Sequence, residues 1–535
     1  MTRYRLLVAL LLILTTPLNA CSRTRTARIS SGALIVAQIQ EPRSLNPLYL
    51  DGYTAGEVDA LLFSFLTTYD LRGNTIPQVV TEVPSVANGG ISRDGLVYTF
   101  HLRPGIRWQD GAPLTSRDVA FTYAAIMNPK NNALSTYGYD AVAWVRTPNL
   151  RTVLVRLKYR LTPFVTYFFG GNSNYPILPA HILDRYADLN NVSFNGDPIG
   201  SGPYRLVEWA RGDHMTFEAI PNYYLGSPSV RRIVVDFVPD TQTMLNELRT
   251  GEIDAVFLAD VSLLPRFRML RQYRIQTSST TIFETLLFNT TSVLFRDAAA
   301  RRAFAMAIDR RAIVGKLTHG VYNPRTGMRG LFTWAYDPSA GNVPYDPARA
   351  SALLGSDGWS RGSDGILRKN GRRFAVQLLF STGSVVSNSI AAMIAAYEQA
   401  VGIEVQLKSL APAAMTSPSG PLYGGRYQVA LFLEMSQADP DARWILGCSQ
   451  RAPHGFNFMR YCNTGVDRLF ERAAATFSVA ERKRDYAVVQ RQLLADMPID
   501  FLYQVVEIDV VPWQLHGYRQ SMYTSPYTFV YRWRL

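Results

Sequence analysis

Residues 92–119 read S-R-D-G-L-V-Y-T-F-H-L-R-P-G-I-R-W-Q-D-G-A-P-L-T-S-R-D-V, a β unit with hard punctuation. Asp94-Gly95 turns the chain, and Val97, Thr99 and His101 alternate with Tyr98, Phe100 and Leu102 at strand period. Pro104-Gly105 and Asp110-Gly111 mark two further turns, and Thr115 or Ser116 is placed to cap a helix opening at Asp118. Many globular folds contain such a meander, so its meaning depends on its surroundings.

The start of the chain sets the compartment. Arg3 and Arg5 precede an unbroken apolar run, Leu6 to Leu14. About nine residues cannot span a hydrocarbon core that needs roughly 20. They fit the core of a secretory signal peptide with a small residue before the cut. Leu18-Asn19-Ala20-Cys21 looks like a bacterial lipobox, in which the Cys21 thiol is acylated and becomes the new N-terminus; ordinary cleavage with an unmodified thiol is the alternative. Residues 22–31 then form a polar, basic tether. An acyl anchor holds firmly, since each buried CH₂ contributes about 0.8 kcal/mol.

At 535 residues and 47% hydrophobic, the chain can bury several cores. No later segment is apolar enough to cross a membrane, so everything beyond Cys21 is expected to be soluble. The formal charge is +13, or +11 once Arg3 and Arg5 leave with the signal. The basic residues are dispersed, in short pairs such as Arg231-Arg232 and Arg310-Arg311, with no zinc-finger, helix-turn-helix or RNA-recognition signature. Solvated faces, not nucleic-acid contacts, are the expectation, and weak attraction to anionic headgroups is compatible with it. With Cys21 set apart, Cys448 and Cys462 form an even pair in an exported chain, which points to a disulfide. It would close a loop of about 15 residues and contribute about 3 kcal/mol; two free buried thiols are the other reading.

Short strands alternate with helices throughout, arguing α/β. Ala33 to Gln38 is an apolar strand, and Glu57 to Thr68 carries Val58, Leu61, Leu62 and Phe65 at helical spacing. Gly200 and Gly202 by themselves hint at a phosphate loop. A third glycine is missing and Pro203 removes a donor, so a tight turn into a strand is expected. Asp309 is placed to cap a second helix after Phe304, Ala307 and Ile308.

Four blocks share one order: Ser92 to Val119; Asp197 to Leu206 continuing to Gly226; Leu286 to Thr290 continuing to Arg310; and Tyr345 to Pro498, with Gly358-Trp359, Asp439-Pro440-Asp441 and Tyr461-Cys462-Asn463. Together they resemble the extracellular solute-binding proteins that serve ABC importers of peptides and nickel, the dipeptide- and oligopeptide-binding type, over roughly residues 31–505. The resemblance implies a two-lobed periplasmic-binding-protein fold (type II) with an additional β-rich subdomain inserted in lobe one. On that reading residues 1–20 are a signal peptide and 21–31 a lipid-anchored tether. Lobe one takes 32–70, the insertion 71–195, lobe one again 196–287, lobe two 288–498, and lobe one regains 499–535. The chain would cross between lobes near Leu287 to Thr290 and near Asp496 to Tyr503. Similar proteins also carry a disulfide in the region of Cys448 and Cys462.

The implied role is the substrate-binding component of an ABC importer, exported and lipid-anchored. It captures a small peptide by closing two lobes and delivers it to permease subunits and their ATPases. It would act as a monomer, without cofactor, metal or nucleic acid. In peptide-binding relatives a carboxylate ahead of the Asp-Pro stretch pairs with the peptide's α-amino group; the equivalent position here is Ser436. A hydroxyl cannot neutralise a buried ammonium. If Val429 to Ser436 is a strand, Glu434 shares a face with Ser436 and can substitute for it; Glu434 as a structural partner of an arginine is the bland alternative. Phe288, Asn289, Phe432, Glu434 and Ser436 are therefore expected to line the cleft, with Tyr53 and Thr54 facing them from lobe one.

Other solutes stay open: an oligosaccharide, a metal chelate or an opine-like compound. Direct metal coordination is not expected, because no two of the six histidines stand at ligand spacing. An exported hydrolase is the rival from another class. No Gly-x-Ser-x-Gly elbow and no His-Glu-x-x-His is present, and no lysine has a serine three residues before it.

Overall fold

The computed structural model describes residues 32–49, 53–171, 175–325, 328–382, 384–437 and 439–535, without the side chains of 53–56. Cys21, and with it the expected signal and tether, lies outside the described residues. The 92–119 unit forms as its alternation predicts. Val97–His101 is a strand in a three-stranded antiparallel sheet, with Tyr98, Phe100 and Leu102 buried beneath it. Tyr98 and Phe100 pack on Phe164 and Phe168 at centroid distances of 4.9 and 5.6 Å. The following helix, Ser116–Met127, opens two residues earlier than expected. Asp118 sits in its first turn and accepts a 2.7 Å bond from the Thr115 N–H, which closes a capping box.

The molecule is organised by one eleven-stranded mixed sheet. We label its strands in chain order: β1 (Ala33–Gln38), β2 (Tyr204–Ala210), β3 (His214–Ala219), β4 (Arg232–Phe237), β5 (Ala255–Val256), β6 (Tyr273–Phe288), β7 (Asn323–Pro324), β8 (Ala375–Ser381), β9 (Glu404–Leu410), β10 (Val429–Met435) and β11 (Ile499–Pro512). The order across the sheet is β9-β8-β10-β6-β11-β5-β1-β4-β3-β2, with β7 beside β11.

Strands β6 and β11, of 16 and 14 residues, tie the two halves together. Tyr273 to Ser279 pairs with Pro512 to Val506 on the β5 side, and Phe283 to Leu287 pairs with Gln504 to Ile499 on the β10 side. Between them the register breaks, from Ser279↔Val506 to Phe283↔Gln504. A bulge of this kind bends and twists a ladder. The expected crossing points, Leu287 to Thr290 and Asp496 to Tyr503, fall instead at the far ends of these strands.

Apolar clusters cover both faces of each half. Around β1–β4 one cluster joins Leu34, Ile233, Tyr98, Phe168 and the C-terminal Trp533, and another joins Ala37, Leu245, Leu264 and Val510. Around β8–β10, Leu286, Phe288 and Phe304 lie on one face, and Phe283, Leu287, Phe332 and Tyr486 on the other. The helix expected over Glu57 to Thr68 occupies Tyr53–Leu62. Its end is set by a remote contact: the Leu62 carbonyl accepts the Gly202 N–H at 2.8 Å. Gly200 and Gly202 therefore form a close approach, not a phosphate loop. A Cβ on Gly200 would stand 1.7 Å from the Leu62 oxygen.

Asp309 caps the helix Arg310–Leu317 by accepting from the Ala312 N–H at 3.0 Å. Cys448 and Cys462 are joined in a disulfide. No helix among the described residues is long and apolar enough to cross a membrane.

Candidate functional site

The end of β10 decides the site. Its neighbour β8 pairs with it only at Leu378↔Val429 and Leu379↔Ala430, so from Leu431 onward one edge of β10 has no paired strand among the described residues. The Ser436 N–H donates to the Thr281 carbonyl on β6 at 2.8 Å. Backbone groups alternate sides along an antiparallel strand, so those of Leu433 and Met435 point to the unpaired edge. Side chains alternate as well: Leu433 and Met435 are about half exposed, while Glu434 and Ser436 are buried.

Glu434 is 5% exposed and lies opposite Phe283 of β6. Its Oε1 accepts the Met435 N–H at 3.1 Å. Among the described residues no lysine or arginine pairs with it, which sets aside the reading of Glu434 as an arginine's structural partner. Burial pushes its pKa up to about 8, against the lowering effect of the Met435 amide. A buried carboxylate without a cation is costly when ionised and ready to take one.

Phe432 shares the Glu434 face and meets Phe458 edge-on at 5.8 Å. Ser436 is also there, but its hydroxyl is directed to the Thr281 carbonyl at 3.4 Å; it steadies the strand end beside Glu434. Two expected cleft residues are elsewhere. Phe288 is fully buried on the opposite face of β6, packed on Phe295 and Phe304 at 5.1 and 5.6 Å. The Asn289 amide donates to the carbonyls of Gly425 and Tyr427 at 3.0 and 2.9 Å. Its oxygen accepts from the Thr291 N–H and hydroxyl at 3.1 and 2.7 Å. Both are structural, because a strand covered on both faces has no free side to offer a solute. Tyr53 and Thr54 open the helix Tyr53–Leu62, and their side chains lie outside the described residues.

Beyond β10 the chain carries charged groups that sequence reasoning missed. Asp439 takes a bidentate pair from Arg482 at 2.7 and 2.9 Å, and the Arg482 guanidinium lies 5.1 Å over the Trp334 ring. Asp441 pairs with Arg443 at 2.6 Å. Tyr137, from the β-rich segment 71–195, reaches Asp441 with its hydroxyl at 3.5 Å. Close by, the Thr162 N–H donates to the Ala474 carbonyl at 2.7 Å. The last two contacts join residues more than 300 positions apart, and no local pattern announces them. On the other face of β6, the Tyr503 hydroxyl donates to Glu284 at 3.1 Å, and burial holds Glu284 at a pKa of about 7. No cluster of three or more metal-ligating side chains occurs among the described residues.

Comparisons with known proteins agree with one another. A model of bacterial extracellular solute-binding proteins, family 5, middle region, matches residues 81–452. The oligopeptide-binding protein AppA of Bacillus subtilis is 27% identical over 96% of this chain and 95% of its own. Its structure with a nonapeptide superposes with a TM-score of 0.81 at 25% identity, covering 94% of this chain and 98% of that one. NikZ of Campylobacter jejuni in complex with Ni(L-His) gives a TM-score of 0.83 at 27% identity, covering 94% and 99%.

Proposed function

The chain belongs to the bacterial extracellular solute-binding proteins of family 5, and from that premise we propose that it is the substrate-binding component of an ABC importer whose solute is a peptide with a free amino terminus. The observation that carries the peptide reading is Glu434: buried, without a cation, beside an unpaired strand edge. The peptide's α-ammonium sits at the Glu434 carboxylate and displaces the Met435 N–H from it. The peptide backbone then bonds the free groups of Leu433 and Met435 as an added strand. Side chains of the solute stand clear of that edge, which favours breadth of specificity over selection of one sequence.

The register break at Ser279 to Phe283 and Val506 to Gln504 is the hinge in this account. Lobe one holds 32–70 and 196–278, the insertion 71–195, and the return from 507 to 535; lobe two holds the rest. A solute that contacts Glu434 and Tyr137 of the insertion binds the closed form better and draws the population to it. Acylation at Cys21, a monomeric state and docking on permease subunits with their ATPases belong to the same reading. Catalysis does not.

A nickel–histidine chelate, the ligand in the Campylobacter jejuni structure, commits its amino nitrogen to the metal and presents no ammonium. It therefore leaves Glu434 unmatched, and the peptide reading is the better fit. Thermal-shift titration with di- to pentapeptides tests it. The wild type gains stability with each length it accommodates, and Glu434→Gln loses most of the gain. Peptide shifts that are equal in both proteins would remove Glu434 from the role.

A further inference from the structure

At the end of lobe one farthest from the hinge, three strands begin or finish together. Val36 of β1 is level with Ala255 of β5, Val256 with Val510 of β11, and Pro512 with Tyr273 of β6. Gly32, Trp513 and Arg271 therefore emerge at one pole, within three strand spacings, or about 15 Å. The register break and Glu434 lie toward the other end of the same strands.

This pole is basic and carries exposed apolar groups. Met269 is 70% and Trp513 60% exposed, and the Trp513 indole N–H donates to the Arg271 carbonyl at 3.1 Å, which seats the ring beside that arginine. Arg268, Arg271 and Arg519 are exposed and make no ion pair among the described residues, and Arg519 lies near enough to Arg274, the second residue of β6, for the two charges to repel. Residues 261–283 and 510–535 contain no aspartate or glutamate at all. Glu218, at the neighbouring strand ends, is already held by Arg205 at 2.8 Å and Arg232 at 3.5 Å, which leaves, among the described residues, exposed Glu252 and half-buried Glu247 beside it. Gly32, the first described residue, stands at this pole.

We propose that the pole formed by Arg268, Met269, Arg271, Trp513 and Arg519 rests on a bilayer surface of anionic phospholipid, so that the solute cleft faces away from the membrane. Arginines attract the anionic headgroups, and tryptophan and methionine enter the boundary between headgroup and acyl chain. Cys21 precedes Gly32 by eleven positions in the sequence, so an acyl anchor there would be tethered to the fold at the same pole. Release of the pole frees the cleft to turn toward a permease.

Vesicle sedimentation tests this with the full chain carrying Cys21→Ser, so that no acyl chain is present. Partition is compared between vesicles of equal parts phosphatidylglycerol and phosphatidylcholine and vesicles of phosphatidylcholine alone, which isolates charge from any apolar binding by the N-terminal segment. A preference of at least about tenfold for the anionic vesicles is expected, at roughly fivefold per arginine, and it disappears near 1 M salt, where the Debye length is about 3 Å. Arg268→Glu with Arg271→Glu removes the preference; Arg268→Gln with Arg271→Gln gives an intermediate value and serves if the reversal disturbs folding. Arg311→Glu with Arg349→Glu, exposed on lobe-two helices, changes net charge equally and retains it. Equal partition to both vesicles, full preference in the Arg268/Arg271 variants, or equal loss in the Arg311/Arg349 control each overturns the proposal.

Discussion

The Glu434 carboxylate is held by its own neighbour, accepting the Met435 N–H at 3.1 Å, while no lysine or arginine among the described residues pairs with it. The acid therefore occupies a backbone group that the solute would use in the proposed complex. In that proposal a ligand bearing an ammonium would release both at once.

Proton linkage follows from this arrangement. Burial raises Glu434 to about 8, so near pH 7 its carboxyl is mostly protonated, and in the proposed role an ammonium would have to expel that proton to bind. Peptide affinity is expected to rise about tenfold per pH unit between pH 5 and 7.5. It falls again above about pH 8, where the peptide amine itself loses its proton. Calorimetry in buffers of different ionisation enthalpy detects the released proton. Glu434→Gln flattens the acid limb.

Stability without ligand runs the opposite way. The folded-state pKa of Glu434 lies above its ordinary value of 4.5, so this group's contribution is complete below that value and is lost as pH rises through about 8. Glu434→Gln cannot ionise. It should raise the melting temperature of the unliganded protein at pH 8 and leave it nearly unchanged at pH 4. A lower melting temperature for the variant at pH 8 would contradict the assignment.

The Asp439–Arg482 pair is nearly dry, with side-chain exposures of 11% and 6%. Removing one member strands the other's charge. Asp439→Ala should cost about 3 kcal/mol, whereas Asp439→Leu with Arg482→Met together should cost less than that single change. Urea midpoints of the three proteins decide it.

The disulfide and the glycine contact give two further stability tests. Cys448→Ser with Cys462→Ser opens a loop of about 15 residues and should cost about 3 kcal/mol. Gly200→Ala drives a methyl group into the Leu62 carbonyl and should cost at least about 3 kcal/mol. Chemical denaturation reads both.

The parts of the fold that the sequence disclosed are those governed by local rules. Tyr98, Phe100 and Leu102 are buried because strand side chains alternate, and Thr115 and Asp118 cap their helix because orphan amides need acceptors. The same alternation sets Glu434 and Ser436 on one face. Local rules stop where both faces of a strand are covered. Phe288 and Glu434 sit on neighbouring strands with equally plausible patterns, and only the assembled sheet shows that one packs in a core and the other borders a free edge. The helix Tyr53–Leu62 likewise ends where Gly202, 140 residues later, takes its last carbonyl. Tyr137 and Asp441 meet only after the lobes assemble.

In the proposed role Glu434 is the counter-ion of a peptide amino terminus. Its most direct test is titration calorimetry with a tripeptide and the N-acetylated form of the same tripeptide, each against wild type and Glu434→Gln. Pairing a buried charge implies about 3 kcal/mol, or roughly a hundredfold. The wild type should therefore bind the free amine about a hundred times more tightly than the acetylated peptide, and Glu434→Gln should bind the two alike. Equal affinity of the wild type for both peptides would contradict the account.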